Sequence, residues 1–185
     1  DFSSGNKLVS AARLPTEPLM LLLCEQYLDL TSYSLHLTCG VHDSTQRRVV
    51  WYKLQKLQNS AARLVLKARK SDHATPLLRT LHWLPIKSRI DYKLSTLCFN
   101  FFSGSSPAYF SELLTVYTPT RQLRSSSDTR ILLVPRTKTK TYGHRTFTYS
   151  ASTQWNSLPY NIRHMQSPQA FKRALKTHLF RAHFG

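Results

Sequence analysis

Apolar positions along the chain predict a series of amphipathic helices from Val50 onward. Leu54, Leu57, Ala61, Leu64, Val65 and Ala68 fall on one face at about 100° per residue, with Lys56, Arg63, Lys67 and Lys70 opposite. Good helix formers fill the segment, and Ser71-Asp72 ends it. A short helix is expected over ATPLLRTLHW, with Thr75 at its N-cap and Pro76 at the first helical position. Pro85 closes it, because proline disfavours helical backbone in the residue before it. A third helix then carries Ile86, Ile90, Leu94, Leu97, Cys98 and Phe101 as its apolar stripe, with Arg89 and Lys93 on the flank. Leu81, Trp83 and Leu84 of the preceding corner are expected to face inward. Gly104 and its neighbouring serines stop this helix, and Ser106 caps a short fourth one over Pro107–Leu114.

After Pro119 the pattern changes. ILLVP reads as a short strand, and RTKTKTYGHRTFTY alternates as the arms of a small β-hairpin would, with Gly143 in the turn. ASTQWNSLPYNIR predicts a helix carrying Trp155 and ending near Pro159. The last helix is the best signalled: Ser167 caps, Pro168 starts, and Phe171, Ala174, Leu175, His178 and Leu179 form the buried face. Residues 1–49 show no clear period. The fold class is therefore α+β and predominantly α-helical: a helical bundle, a small hairpin region, then two C-terminal helices. Three divisions follow: a poorly structured segment 1–49, a helical region 50–118, and a basic hairpin with C-terminal helices over 119–185.

Charge adds a second division. The chain holds 26 Lys and Arg against 9 Asp and Glu, a net +17. Residues 1–46 hold two basic and five acidic residues, so their net is −3, while residues 47–185 carry +20. Such an excess favours a polyanionic partner over a membrane surface, since no long basic amphipathic helix rich in exposed apolar residues stands out. The longest apolar run, Leu19–Cys24, falls far short of the roughly 20 residues a membrane span needs. Pro15, Glu17 and Pro18 interrupt any signal-peptide core, and three scattered cysteines give no disulfide framework, so an intracellular protein, nuclear or cytoplasmic, is expected. The chain starts at Asp1 rather than Met, which reads as a fragment.

Catalytic signatures are missing from this sequence. It contains no phosphate-binding glycine loop, no G-x-S-x-G and no H-E-x-x-H. The basic part holds four isolated carboxylates, Asp72, Asp91, Glu112 and Asp128, which do not pair for acid–base or two-metal chemistry. Cys39-Gly-Val-His42 has a metal-like spacing but lacks two further ligands. What the sequence offers is a distributed polycation among hydroxyls: Arg121, Arg124, Arg130, Arg136, Lys138, Lys140 and Arg145 run through Ser and Thr. Arg forks, Lys point charges and hydroxyl donors suit phosphate oxygens and give affinity without reading bases. The candidate binding set is Arg121, Arg124, Arg136, Lys138, Lys140 and Arg145 of these, with Lys56, Arg63, Lys67, Lys70, Arg89 and Lys93.

Several stretches, taken in order, resemble a known family. They are LQNSAARLV (57–65), TPLLRTLHWLPIKSRIDYK (75–93), PAYFSELLTVYTP (107–119), LRSSS (123–127), VPRTKTKTYGHRTFTYSASTQWNSLP (134–159) and FKRALKTHLF (171–180). The series is similar to the C-terminal end of the reverse transcriptase of LINE-type, non-LTR retrotransposons, from about Trp51 to Phe180. By position it corresponds to the thumb and post-thumb region of that RNA-directed DNA polymerase. The resemblance implies a thumb-like bundle contacting RNA or an RNA–DNA hybrid without sequence preference, and leaning on a polymerase palm. It implies no catalytic residue, metal or cofactor in this chain: the Tyr-x-Asp-Asp aspartates and their Mg2+ belong to the palm, and Tyr27-Leu28-Asp29-Leu30 is a chance partial match. One departure is Tyr142-Gly143-His144-Arg145-Thr146-Phe147, where the family usually has an acidic residue after Tyr-Gly and then Arg-Ala-Phe. Two other readings stand beside this one: a transposon-derived product with no biochemical role, and a host interaction module with no nucleic-acid role.

Overall fold

The computed structural model describes residues 44–119, 130–139 and 143–185, with backbone alone for 44–49 and Arg145. Within them the chain forms α1 (Ser44–Leu66), α2 (Ala74–Thr80), α3 (Ile86–Phe102), α4 (Phe110–Leu113), α5 (Phe147–Asn156), α6 (Tyr160–Arg163) and α7 (Pro168–Phe184). The molecule is predominantly helical, as the periodicity predicts.

α3 is the centre, packing against α5 and α7 on one side and α1 on another. Its buried stripe is Ile86, Ile90, Leu94, Cys98 and Phe99, with Leu97 and Phe101 half-buried at its border. Phe99 stacks on Phe171 of α7 at 4.3 Å, Phe102 on Trp155 of α5 at 5.3 Å, and Trp155 meets Phe171 at 5.9 Å. Each such aromatic pair adds about 0.5–1.5 kcal/mol beyond the area it buries. One apolar cluster runs from Leu84 to Leu179, and Phe171 and Leu175 are fully enclosed in it. The burial of α7 therefore follows its sequence pattern.

α1 does not follow its pattern. Leu57 is 58% exposed and Leu64 80%, whereas Gln58 is 2% exposed and Ala62 is wholly buried. The inward face is Trp51, Leu54, Gln55, Gln58 and Ala62, about a quarter of a turn away from the predicted one. The corner at Pro85 explains this. Ile86 N–H opens α3 and has no partner within that helix. Gln55 Oε1 accepts from it at 3.1 Å, and Gln58 Nε2 donates to the Leu84 carbonyl at 2.8 Å. Gln55 Nε2 braces both by donating to Gln58 Oε1 and Asn59 Oδ1 at 3.0 and 2.9 Å. Turning α1 to bury Leu57 and Leu64 would expose Trp51, so the apolar terms largely offset one another. The polar terms then decide, since a buried group left unpaired costs about 1–3 kcal/mol.

The corner itself is partly as predicted. Leu84, Ile86 and Ile90 are buried, while Leu81 and Trp83 are only half-buried and lie outside the main cluster. The chain turns there on His82, whose φ of 52° is left-handed. Trp83 N–H reaches back to the Leu78 carbonyl at 2.9 Å, which closes α2 as a left-handed C-cap does. α1 ends the same way at Lys67, φ 51°, with Ala68 N–H on the Arg63 carbonyl, four residues earlier than Ser71-Asp72. The N-cap of α2 is His73 rather than Thr75, which lies inside the helix. The fourth helix is shorter than predicted, because a turn over Pro107–Tyr109 precedes it.

The predicted hairpin is not seen. Among the described residues the extended chain forms one isolated antiparallel bridge, Val116 with Leu132. TFTY, read as strand, is the first turn of α5: Thr146 Oγ1 accepts from Tyr149 N–H, and Phe147, Ala151 and Trp155 share the inward face. Gly143 belongs to a 3-10 turn, Gly143–Arg145, in which a Cβ would run into the side chain of Thr137. Two backbone hydrogen bonds of that bridge hold the extended segment on one side, Tyr117 N–H to the Ile131 carbonyl at 2.9 Å and Leu133 N–H to the Thr115 carbonyl at 2.8 Å. Side chains of α5 hold it on the other. Asn156 Oδ1 accepts from Leu132 N–H at 3.0 Å, its Nδ2 donates to the Leu132 carbonyl at 2.7 Å, and Trp155 Nε1 donates to the Arg130 carbonyl at 2.8 Å.

Candidate nucleic-acid interface

The predicted cations fall into groups once placed on the fold. Lys56, Arg63, Lys67 and Lys70 come together around an open groove of about 960 Å³ on the outer side of α1 and the turn after it. Helical spacing brings Lys56 and Arg63 to one side of α1, and the left-handed turn at Lys67 folds Lys70 back beside them. Tyr52, Asn59 and Ser60 complete the polar lining and Leu64 and Ala68 the apolar part, and among the described residues no carboxylate borders it.

The four cations differ in what they do there. Lys56, Lys67 and Lys70 are exposed. Lys56 Nζ lies 4.5 Å from the centre of the Tyr52 ring, a cation–π contact one helical turn long. Arg63 is half-buried and already engaged: its Nη2 and Nε donate to the Asp72 carbonyl at 2.9 and 3.3 Å. Asp72 Oδ2 in turn accepts from Arg69 N–H at 2.8 Å, so Arg63 and Asp72 together shape the turn that presents Lys67 and Lys70. The groove is thus a rigid frame carrying three exposed ammonium groups and several neutral donors.

The other predicted residues do not join it. Arg89 is half-buried, and its Nε donates to the Leu84 carbonyl at 2.9 Å as part of the Pro85 corner. Lys93 is half-buried on α3. Its neighbour Asp91, on the same helix, has a carboxyl pushed above its ordinary value by burial, with Lys87 partly offsetting this. Arg136 and Lys138 are exposed on the extended segment after Leu132 and do not line the groove. The backbone of Arg145 lies in the 3-10 turn before α5. Arg121, Arg124 and Lys140 lie outside the described residues, as does the Cys39–His42 pair.

Two arginines, Arg130 of the predicted polycation and Arg163, which the sequence does not single out, are internal pins. Arg130 Nη1 donates to the carbonyls of Arg163 and Met165, both at 2.9 Å. Arg163 is 8% exposed; its Nε donates to the Leu158 carbonyl at 3.0 Å and its Nη1 to the Arg130 carbonyl at 3.3 Å. Conversely, periodicity alone missed Tyr52, Asn59 and Ser60 as groove residues. The one available signal was Tyr52 four positions before Lys56 on a helix.

Among the described residues no three His, Cys, Asp or Glu side chains stand together to hold a metal ion, and no helix is long and apolar enough to cross a membrane. No family model, curated protein or solved structure matches the chain.

Proposed function

We propose that residues 51–180 are the thumb and post-thumb part of a LINE-type reverse transcriptase, and that this chain's contribution is sequence-nonspecific contact with the backbone of RNA or an RNA–DNA hybrid. The α1 groove is the observation that carries this reading. Lys56, Lys67 and Lys70 are exposed there beside Asn59 and Ser60, with no acidic residue in the lining among the described residues. Such a surface neutralises phosphates and donates to their oxygens without reading base edges. In this reading DNA synthesis and its Mg2+ belong to a palm that the chain would lean on, and the chain itself supplies no catalytic residue.

The motifs that carry the family resemblance have a structural use consistent with it. Gln58 of LQNSAARLV, the Pro85 corner of LHWLPIKSR and Trp155-Asn156 of WNSLP are the polar clips that hold the bundle together. They support a shared scaffold more directly than a shared surface. The test is a filter-binding titration of the full chain with RNA between 50 and 200 mM salt. With about six phosphates neutralised, log K falls with log salt at a slope near −4 on single strands and near −5 on duplex. Absent or salt-independent binding overturns the reading and leaves the interaction module.

A further inference from the structure

We infer that the α1 groove holds RNA as an unpaired strand with one base stacked on Tyr52, an assignment that rests on the backbone contact proposed for the same groove. Phosphate contact alone asks only for cations and neutral donors. The lining holds more than that. Tyr52 lies in it 61% exposed and Leu64 80% exposed, together with Ala68.

The fold presents this ring outward on a fixed backbone. Trp51 and Leu54 pack against the core and anchor α1 on both sides of position 52, while Tyr52 itself faces solvent. Lys56, one turn further on, sets its Nζ 4.5 Å from the ring centre. At an exposed site such a cation–π contact is weaker than a base stacked on an aromatic ring. A base arriving on that face displaces the ammonium group and frees Lys56 for a phosphate.

The spacing separates the two kinds of contact. Tyr52 and Leu64 stand about 18 Å apart along α1, at about 1.5 Å per residue. Between them lie Lys56, Asn59, Ser60 and Arg63. Asn59 Oδ1 already accepts from Gln55 Nε2, so Asn59 offers its Nδ2 as a donor, in line with the ammonium groups. The groove is thus a row of donors with an aromatic ring near one end and an aliphatic side chain near the other. A duplex can use only the donor row, because its bases are paired and their faces are stacked on one another. An unpaired strand gives its phosphates to the row and its base faces to Tyr52 and Leu64, which is how sequence-tolerant single-strand sites bind.

The experiment measures binding of the full chain to three labelled probes about 12 nucleotides long, the scale of a single-strand site. They are an oligouridylate, the same ribose–phosphate strand without bases, and an RNA duplex. The first two carry equal charge, so their difference reads the bases. The parent chain should bind the oligouridylate about five- to a hundredfold more tightly than the abasic strand. Tyr52→Ala should remove that advantage and Tyr52→Phe keep it, with duplex affinity and the salt slope unchanged in both. Equal binding of the oligouridylate and the abasic strand by the parent overturns the stacking and leaves the backbone contact standing. So does a Tyr52→Ala variant that weakens all three probes alike. Failure of the parent to bind any probe overturns both.

Discussion

α1 and α7 are both amphipathic and both basic, yet they relate to the core in different ways. α7 buries what its pattern says it should: Phe171, Leu175 and Leu179 point inward and Lys172, Arg173 and Lys176 outward. α1 buries Gln58 and holds Gln55 half-buried against the Pro85 corner, while Leu57 and Leu64 face out. The difference lies in what each helix packs against. α7 meets an aromatic surface made by Phe99 and Trp155, where apolar area decides. α1 meets a proline corner whose exposed backbone groups need partners, and there hydrogen bonds decide the register. A helix docked by its polar side has apolar and cationic faces left for other uses.

The comparison breaks most visibly at Phe171. Phe171→Ala should cost about 3–5 kcal/mol in a denaturant titration, because it removes the ring stacked between α3 and α5. The matching change on α1 is Gln55→Leu, which an apolar-face reading would rank as stabilising. Here it should destabilise by about 1–3 kcal/mol, because it strips Ile86 N–H of its acceptor. A neutral or stabilising Gln55→Leu would mean that hydrogen bonds do not set the register of α1.

A smaller effect concerns Asp91 on α3, whose carboxyl is raised from 3.8 by burial, with Lys87 opposing. The folded form binds this proton more tightly than the unfolded chain, so stability falls as pH rises from 3.8 through the raised value and the loss is complete above it. Asp91→Asn should therefore be more stable than the parent at pH 7 in thermal melts, with the gap closing as pH drops below 3.8. A gap that does not change with pH would place its cause elsewhere.

How much was legible depended on whether apolar area or hydrogen bonding set each position. α3 and α7 could be read because their stripes meet an apolar neighbour. The face of α1 could not, since nothing local in sequence marks Gln55 and Gln58 as partners for residues 26 to 31 positions away. The hairpin failed for a similar reason. Alternation over residues 136–149 imitates a strand, but Thr146 caps a helix there, and the extended chain before it, at residues 130–133, is held by Asn156, Trp155 and the backbone of Thr115 and Tyr117. Among the cations, composition treats Arg63, Arg89, Arg130 and Arg163 like the lysines. The fold uses these arginines on backbone carbonyls, where a planar fork reaches two acceptors or bridges a turn, and leaves Lys56, Lys67 and Lys70 to solvent.

The central claim is that the groove on α1, rather than net charge at large, binds the phosphate backbone. Its most direct test compares the salt dependence of RNA binding for Lys56/Lys67/Lys70→Gln with that for Lys172/Arg173/Lys176→Gln in the full chain. Each variant loses three exposed charges, and Arg63 is kept because it holds the 67–72 turn. The account predicts that the α1 variant flattens the slope by about 2 on single strands or about 3 on duplex, while the α7 variant leaves it unchanged. Equal flattening by both, or none by the α1 variant, would contradict it.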